Sequence, residues 1–125
     1  MNLVVLQGVL SRPAQAVELP SGDRLVSLEV TVRRPDAAAE PVPVQWEDPP
    51  AWASVLDTGT EVAVLGRVRR RFFRAGGVTQ SRTEVVASRV VRASARAKVR
   101  AMLDEAMDRL ESLGPDVGAP TGRKG

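Results

Sequence analysis

The stretch VPVQWEDPPAWASVLDTGTEVAVLGRVRRRFF, residues 42–73, decides the fold. It opens on a short strand candidate, Val42 to Trp46, with Pro41 and Pro43 on one face. Proline cannot donate to a ladder, so this strand is expected at a sheet edge or broken. Asp48-Pro49-Pro50 ends it, and Ala51 to Asp57 leaves room for one short helix that closes near Gly59. Thr60 to Phe73 then reads as a long strand with Gly66 in its middle, where a missing side chain lets the chain bend sharply.

Outward from this core the pattern stays β. Asn2 to Leu10 is a strand candidate, and Arg24 to Arg34 is the clearest one. There Val26, Leu28, Val30 and Val32 alternate with Ser27, Glu29, Thr31 and Arg33, which puts the first set on a core and the second outside. Pro20-Ser21-Gly22-Asp23 lies between these two strands and has turn composition; Ala75-Gly76-Gly77 makes a later turn before a last strand, Arg82 to Val91. Five strands with a short helix between the third and fourth give an all-β expectation, a five-stranded OB-fold barrel with a generic antiparallel sandwich as the alternative. Residues 1–91 form the expected barrel domain and 92–113 an amphipathic helix ended by Gly114-Pro115. Residues 114–125 return to Gly and Pro without an apolar pattern and read as a disordered tail.

In the helix, Val99, Leu103, Ala106, Leu110 and Leu113 recur at steps of four and three, with Met102 and Met107 at the edges of the stripe. Arg92, Arg96, Lys98 and Arg100 crowd its first half and Asp104, Glu105, Asp108 and Glu111 its second, an order that opposes the helix dipole. Three uses fit: packing on its own barrel, an antiparallel pair with a second subunit, or extension of a basic track.

Composition narrows the chemistry. The 125 residues are 43% apolar and 26% charged, with net charge +3, no Cys and no His. Disulfides, thiolate metal sites, Cys nucleophiles and His bases are therefore excluded. Glu47-Asp48 is the one adjacent acidic pair of the β region and sits in a Pro-rich turn, and no phosphate loop, nucleophile elbow or metal-ligand spacing occurs. The expectation is a non-enzyme without cofactor or metal. No apolar run is long enough to span a membrane and the start has no leader pattern, so a soluble cytoplasmic protein is expected.

The strongest chemical signal is Gly66-Arg67-Val68-Arg69-Arg70-Arg71-Phe72-Phe73-Arg74, with five arginines and no acid. Alternation puts Arg67, Arg69, Arg71 and Phe73 on one face, Val62, Val64 and Val68 on the other, and Phe72 on the core side. Guanidinium groups that track phosphates beside a ring on which a base can stack are the chemistry single-stranded nucleic acid asks for. Arg74 adds to this charge, and Arg33 and Arg34 at the end of the second strand could widen the patch. Such charges on a strand are otherwise solvated or keep an edge from aggregating, but like charges this dense repel one another and favour an anionic partner. Trp46 is a base platform or a rim packing residue, and Trp52 is expected in the core.

From Leu3 to Val91 the chain resembles the OB domain of bacterial single-stranded DNA-binding proteins. Gly8-x-Leu10, Pro20-Ser21-Gly22-Asp23 opening a Val/Leu strand, Gly59-Thr60-Glu61-Val62, Gly66-x-x-Arg69-x-Arg71-x-Phe73 and Arg82-Thr83-Glu84-Val85-Val86 carry the resemblance by their order and spacing. It implies base stacking for Phe73, two positions past the Arg-x-Arg pair, and for Trp46. Two further family tryptophans have no counterpart in Pro35 to Ala39 and Glu40 to Val42, the loop between the second and third strands is short, and aromatics are 3% of the chain. The family's acidic, phenylalanine-ending tip, which recruits repair and replication enzymes, is expected to be missing, since the last residues read Thr121-Gly122-Arg123-Lys124-Gly125. The resemblance thus implies a specialised paralogue with weaker, more salt-sensitive binding. The expected partners are single-stranded DNA, further copies of the chain as a dimer or tetramer, and replication or repair proteins. A protein adaptor that kept the barrel and lost DNA binding is the alternative.

Overall fold

The structure, a computed structural model, describes residues 1–118, with side chains as far as residue 112. Six strands are present: β1 (Val4–Leu10), β2 (Gln15–Glu18), β3 (Arg24–Arg34), β4 (Ala37–Glu47), β5 (Glu61–Ala75) and β6 (Val78–Arg92). A 3-10 helix, Ala51–Val55, lies between β4 and β5, and one α-helix, α1 (Arg96–Gly118), follows β6. β1 pairs with β5 through Val4–Val9 and with β3 at Val9 and Leu10, which closes β1-β3-β4-β6-β5 into a five-stranded barrel. The contact between β4 and β6 is parallel, at Val44–Trp46 against Val85–Ala87. β2, which the sequence did not suggest, is a four-residue exposed strand added to the edge of β3.

Alternation along β3 fills the barrel as expected: Val26, Leu28 and Val30 are buried with Leu10, Val44, Trp46, Val62, Val64 and Val85. The third-strand prolines sit where β4 has one neighbour. β3 runs the full length of β4, but β6 joins only from Val44, so Pro41 and Pro43 lie on the stretch that is still an edge. Ala53 and Leu56, three residues apart on the 3-10 helix and its exit, eclipse one another and plug the barrel end.

Two glycines mark close approaches. A side chain at Gly8 would meet the Thr31 carbonyl oxygen at 2.4 Å, where β1 crosses from β5 to β3, and one at Gly66 would meet the Val86 carbonyl oxygen at 2.2 Å. Next to Gly66 the pairing shifts: Leu65 faces Arg89 while Gly66 faces Ala87, so Ser88 is an extra residue in β6. This bulge lets both Ala87 and Val90 point into the barrel and turns Val91 outward.

On the outside of β5 and β6 a second cluster forms from Ala63, Leu65 and Val91 with Met102 and Ala106 of α1. The helix therefore packs on its own barrel, fixed at one flank by the ion pair of Arg89 with Glu105 and by Arg109, which pairs with Glu105 one turn earlier on the same helix and donates to Ser88 Oγ at 3.3 Å. It starts four residues later than expected and continues through Gly114-Pro115 to Gly118, so backbone 114–118 is helical and the expected stop there is corrected. A proline near a helix end removes one late backbone bond, which leaves the last turn able to form. Residues 119–125 of the expected tail lie outside the described residues. No helix among the described residues is long and apolar enough to cross a membrane.

Candidate nucleic-acid interface

β5 and β6 outrun the barrel. β1 covers β5 as far as Gly66, the Asn2 side-chain amide adds one more rung by bonding both the N–H and the carbonyl of Val68, and beyond that β5 has β6 alone. The pair continues as a two-stranded ribbon to the turn at Gly76 and Gly77, whose φ values of 60° and 80° suit a two-residue hairpin loop that only glycine-like residues form readily.

Arg67, Arg69, Arg71 and Phe73 share one face of this ribbon, as alternation requires, opposite Val86, Glu84, Arg82 and Gln80 respectively. Their environments differ. Arg67 is exposed and makes no ion pair with any described residue. Arg69 donates from Nε to Glu84 Oε2 at 3.1 Å and forms a second bond to the same oxygen through Nη2; Glu47 lies 3.8 Å away. Arg71 Nη1 is 3.9 Å and Arg82 Nη2 3.6 Å from Glu84 Oε1, and the Arg71 guanidinium lies 5.8 Å from the centre of the half-buried Phe73 ring. The Glu84 side chain is 0% exposed, and its Oε1 accepts no hydrogen bond within the described residues. One buried carboxylate thus anchors Arg69 and gathers Arg71 and Arg82 around it at a looser distance. A buried charge this close to three cations is held by them, and removing its main partner leaves it costly.

Several expected residues stand elsewhere. Arg74 lies on the opposite face and donates to the Gly77 carbonyl at 2.7 Å, so it closes the hairpin turn. Arg33 lines a small cleft with Gln7, Val9 and Glu61, at the far end of β5 and about 20 Å of strand from the row, and Arg34 is paired with Glu40 at 2.8 Å. Neither widens the patch. Trp46 is 4% exposed in the barrel core and meets Trp52 edge-on, ring centres 5.4 Å apart, so no face is open to a base. Trp52, expected in the core, is 43% exposed, and Phe72, expected on the core side, is 67% exposed. Phe72 has the phase of Val62 and Val64, but the ribbon carries that face past the end of the core.

The sequence reading missed Arg82 and Glu84 as members of the arginine cluster. The signal was present, because a two-residue turn at Gly76-Gly77 fixes which residues of β5 and β6 stand opposite each other.

No protein-family model matches the chain, and no curated protein does. Among solved structures, the wild-type single-stranded DNA-binding protein from Thermus aquaticus is similar with a TM-score of 0.60 and 28% sequence identity, over 74% of this chain and 40% of that one. The dimeric structure of the N-terminal domain of PriB protein from Thermoanaerobacter tencongensis is similar in fold, with a TM-score of 0.57 and 19% identity over 73% of this chain and 94% of that one. The matched part of the chain thus spans 40% of the length of the Thermus aquaticus protein. With its closed five-stranded barrel, parallel β4–β6 contact and protruding β5–β6 ribbon, the chain carries an OB fold of the kind found in bacterial single-stranded DNA-binding proteins.

Proposed function

We propose that the protein binds single-stranded DNA without strong sequence preference, through arginine–phosphate contacts with limited base stacking, as a non-catalytic component of DNA replication, repair or recombination. The observation that carries this reading is the charge of the ribbon. Arg67, Arg69, Arg70, Arg71, Arg74 and Arg82 stand against the buried Glu84 and the exposed Glu47, which leaves a strong cationic excess on a projecting element. The likeness to the Thermus aquaticus protein supports the same conclusion. Arg67, Arg71 and Arg82 are the three side chains of the row's face that are not tightly committed to a partner. Phe72 and Phe73 supply the stacking available on the ribbon.

A titration with oligothymidylate at several salt concentrations tests this. Three neutralised phosphates give a slope of log affinity against log salt of about −2, from about −0.7 per phosphate on single strands. A flat response with no measurable binding refutes it and favours the adaptor, the reading to which the burial of Trp46 and the pairing of Arg69 lend weight.

Self-association belongs to the same proposal. Leu103, Met107 and Leu110 are 45%, 54% and 43% exposed and form a stripe at steps of four and three beside the buried Met102 and Ala106. We infer that a second copy covers it. An antiparallel pairing sets Arg96, Lys98 and Arg100 of one helix beside Asp104, Asp108 and Glu111 of the other, which the charge order along α1 favours.

A further inference from the structure

The ribbon offers Phe72 and the half-buried Phe73, but no tryptophan, and the exposed one of the chain's two tryptophans lies elsewhere. Trp52 stands at the mouth of a cleft of about 660 Å³ between the 3-10 helix, the end of β6 and the start of α1. Pro50 and Val91 contribute apolar lining, and Arg89, Arg92 and Lys98 supply three cations against the single carboxylate of Asp48. Arg89 is held by Glu105 at 3.3 Å, whereas Arg92 and Lys98 have no ion pair with any described residue. The Trp52 ring meets the buried Trp46 in a T-shaped contact, ring centres 5.4 Å apart at an interplanar angle of 69°, which restricts the ring before any ligand arrives. A ring ordered in advance loses little freedom on binding.

The cleft is also continuous with the arginine row. Ser88, the bulged residue of β6, and Asp48 line both this cleft and a second one that contains Arg67. A chain that follows Arg82, Arg71 and Arg67 toward the barrel is thereby led across the bulge to Trp52.

We propose that this cleft is a second contact site for the same single strand, where a nucleobase stacks on Trp52 and the flanking phosphates pair with Arg92 and Lys98. The proposal rests on the DNA-binding reading above. It assigns Trp52 the stacking role that the sequence placed on Trp46, and it makes the length of DNA engaged depend on residues outside the ribbon.

Oligothymidylates of about 4 and about 16 nucleotides, the ends of the range that one OB barrel covers, separate the two sites. On the full chain the longer one is expected to quench tryptophan fluorescence. Trp52→Ala is expected to lower affinity for it by about 5- to 150-fold, with most of the loss restored in Trp52→Phe. Affinity for the shorter one, measured at low salt on the ribbon, stays as in the wild type. Arg92→Ala with Lys98→Ala lowers the salt slope for the longer oligonucleotide by about 1.4. If the wild type binds both lengths but Trp52→Ala binds the longer one equally well, the second site is refuted and the ribbon reading stands. If an acidic peptide quenches Trp52 while DNA does not, the cleft serves a protein partner and the proposal is likewise overturned. If neither length binds the wild type, the DNA-binding reading itself falls and takes this one with it.

Discussion

Glu84→Gln separates what the buried carboxylate does for the fold from what it does to the interface. The substitution keeps the side-chain volume and an acceptor oxygen for Arg69 but removes the charge that Arg69, Arg71 and Arg82 surround. Hydrogen bonds to a charged group contribute about 1.5 to 3 kcal/mol, so stability is expected to fall by about 2 kcal/mol. A domain of ordinary stability survives that loss, with a melting temperature lowered by several degrees. DNA affinity moves the other way. Arg69, released from Glu84 and left with only the looser, exposed contact to Glu47 at 3.8 Å, becomes a fourth phosphate contact and steepens the ribbon's part of the salt slope from about −2.1 to about −2.8. Near 0.1 M salt the extra 0.7 of slope amounts to about 5-fold tighter binding, or roughly 1 kcal/mol. Fluorescence anisotropy of a labelled oligothymidylate across a salt series reads the affinity, and thermal unfolding by circular dichroism reads the stability. Weaker binding in step with lower stability, or an unchanged slope, would refute the view that Glu84 holds Arg69 back from the ligand.

Other variants test neighbouring steps. Arg69→Ala strands the Glu84 carboxylate; because Arg69 is 36% exposed and Arg82 lies 3.6 Å away, the cost is expected near the lower end of buried-pair values, about 2 to 3 kcal/mol by denaturant unfolding, with a small change in DNA affinity. Arg67→Ala should do the reverse, with unfolding unchanged and oligonucleotide affinity about 5-fold lower near 0.1 M salt. Gly66→Ala places a methyl 2.2 Å from the Val86 carbonyl oxygen, where only backbone can move, and should lower stability by about 1 to 3 kcal/mol in the same unfolding assay. Leu103→Ser with Met107→Glu alters side chains that are 45% and 54% exposed on the single chain, so it should leave the chain folded by circular dichroism while lowering the solution mass measured by light scattering; an unchanged mass removes the helix-pair interface.

The barrel was legible because its signals are local. Alternation at Val26, Leu28 and Val30, the helix slot before Gly59 and the glycine at 66 each act within a few residues of themselves. The aromatic assignments failed for reasons equally physical. Trp46 shares the phase of Val44, so alternation alone places it inside, and a position beside a Pro-rich loop does not outweigh that. Trp52 precedes Ala53 on a helix of three residues per turn, and once Ala53 and Leu56 face the core the ring one position earlier is turned away from it. Phe72 was given the right phase and the wrong surroundings. Phase is a property of the strand, whereas the end of the core is set by β1, which leaves β5 at Gly66.

That same boundary explains the arginine row. Past Val68 the ribbon has only its own two strands, and a two-stranded hairpin is marginal by itself. The row then makes matters worse, since Arg71 stands directly opposite Arg82, a like-charge pair that repels. A single acid two positions from Arg82, paired with Arg69 across the ladder and shielded from solvent, offsets both neighbours at once. The price is the availability of Arg69, the central cation of the row. A face with all its guanidinium groups free would bind phosphate harder and fold less well. The chain instead keeps Arg67, Arg71 and Arg82 accessible around an internal counter-ion, which makes Glu84 the residue through which ribbon stability and ligand affinity are set against each other.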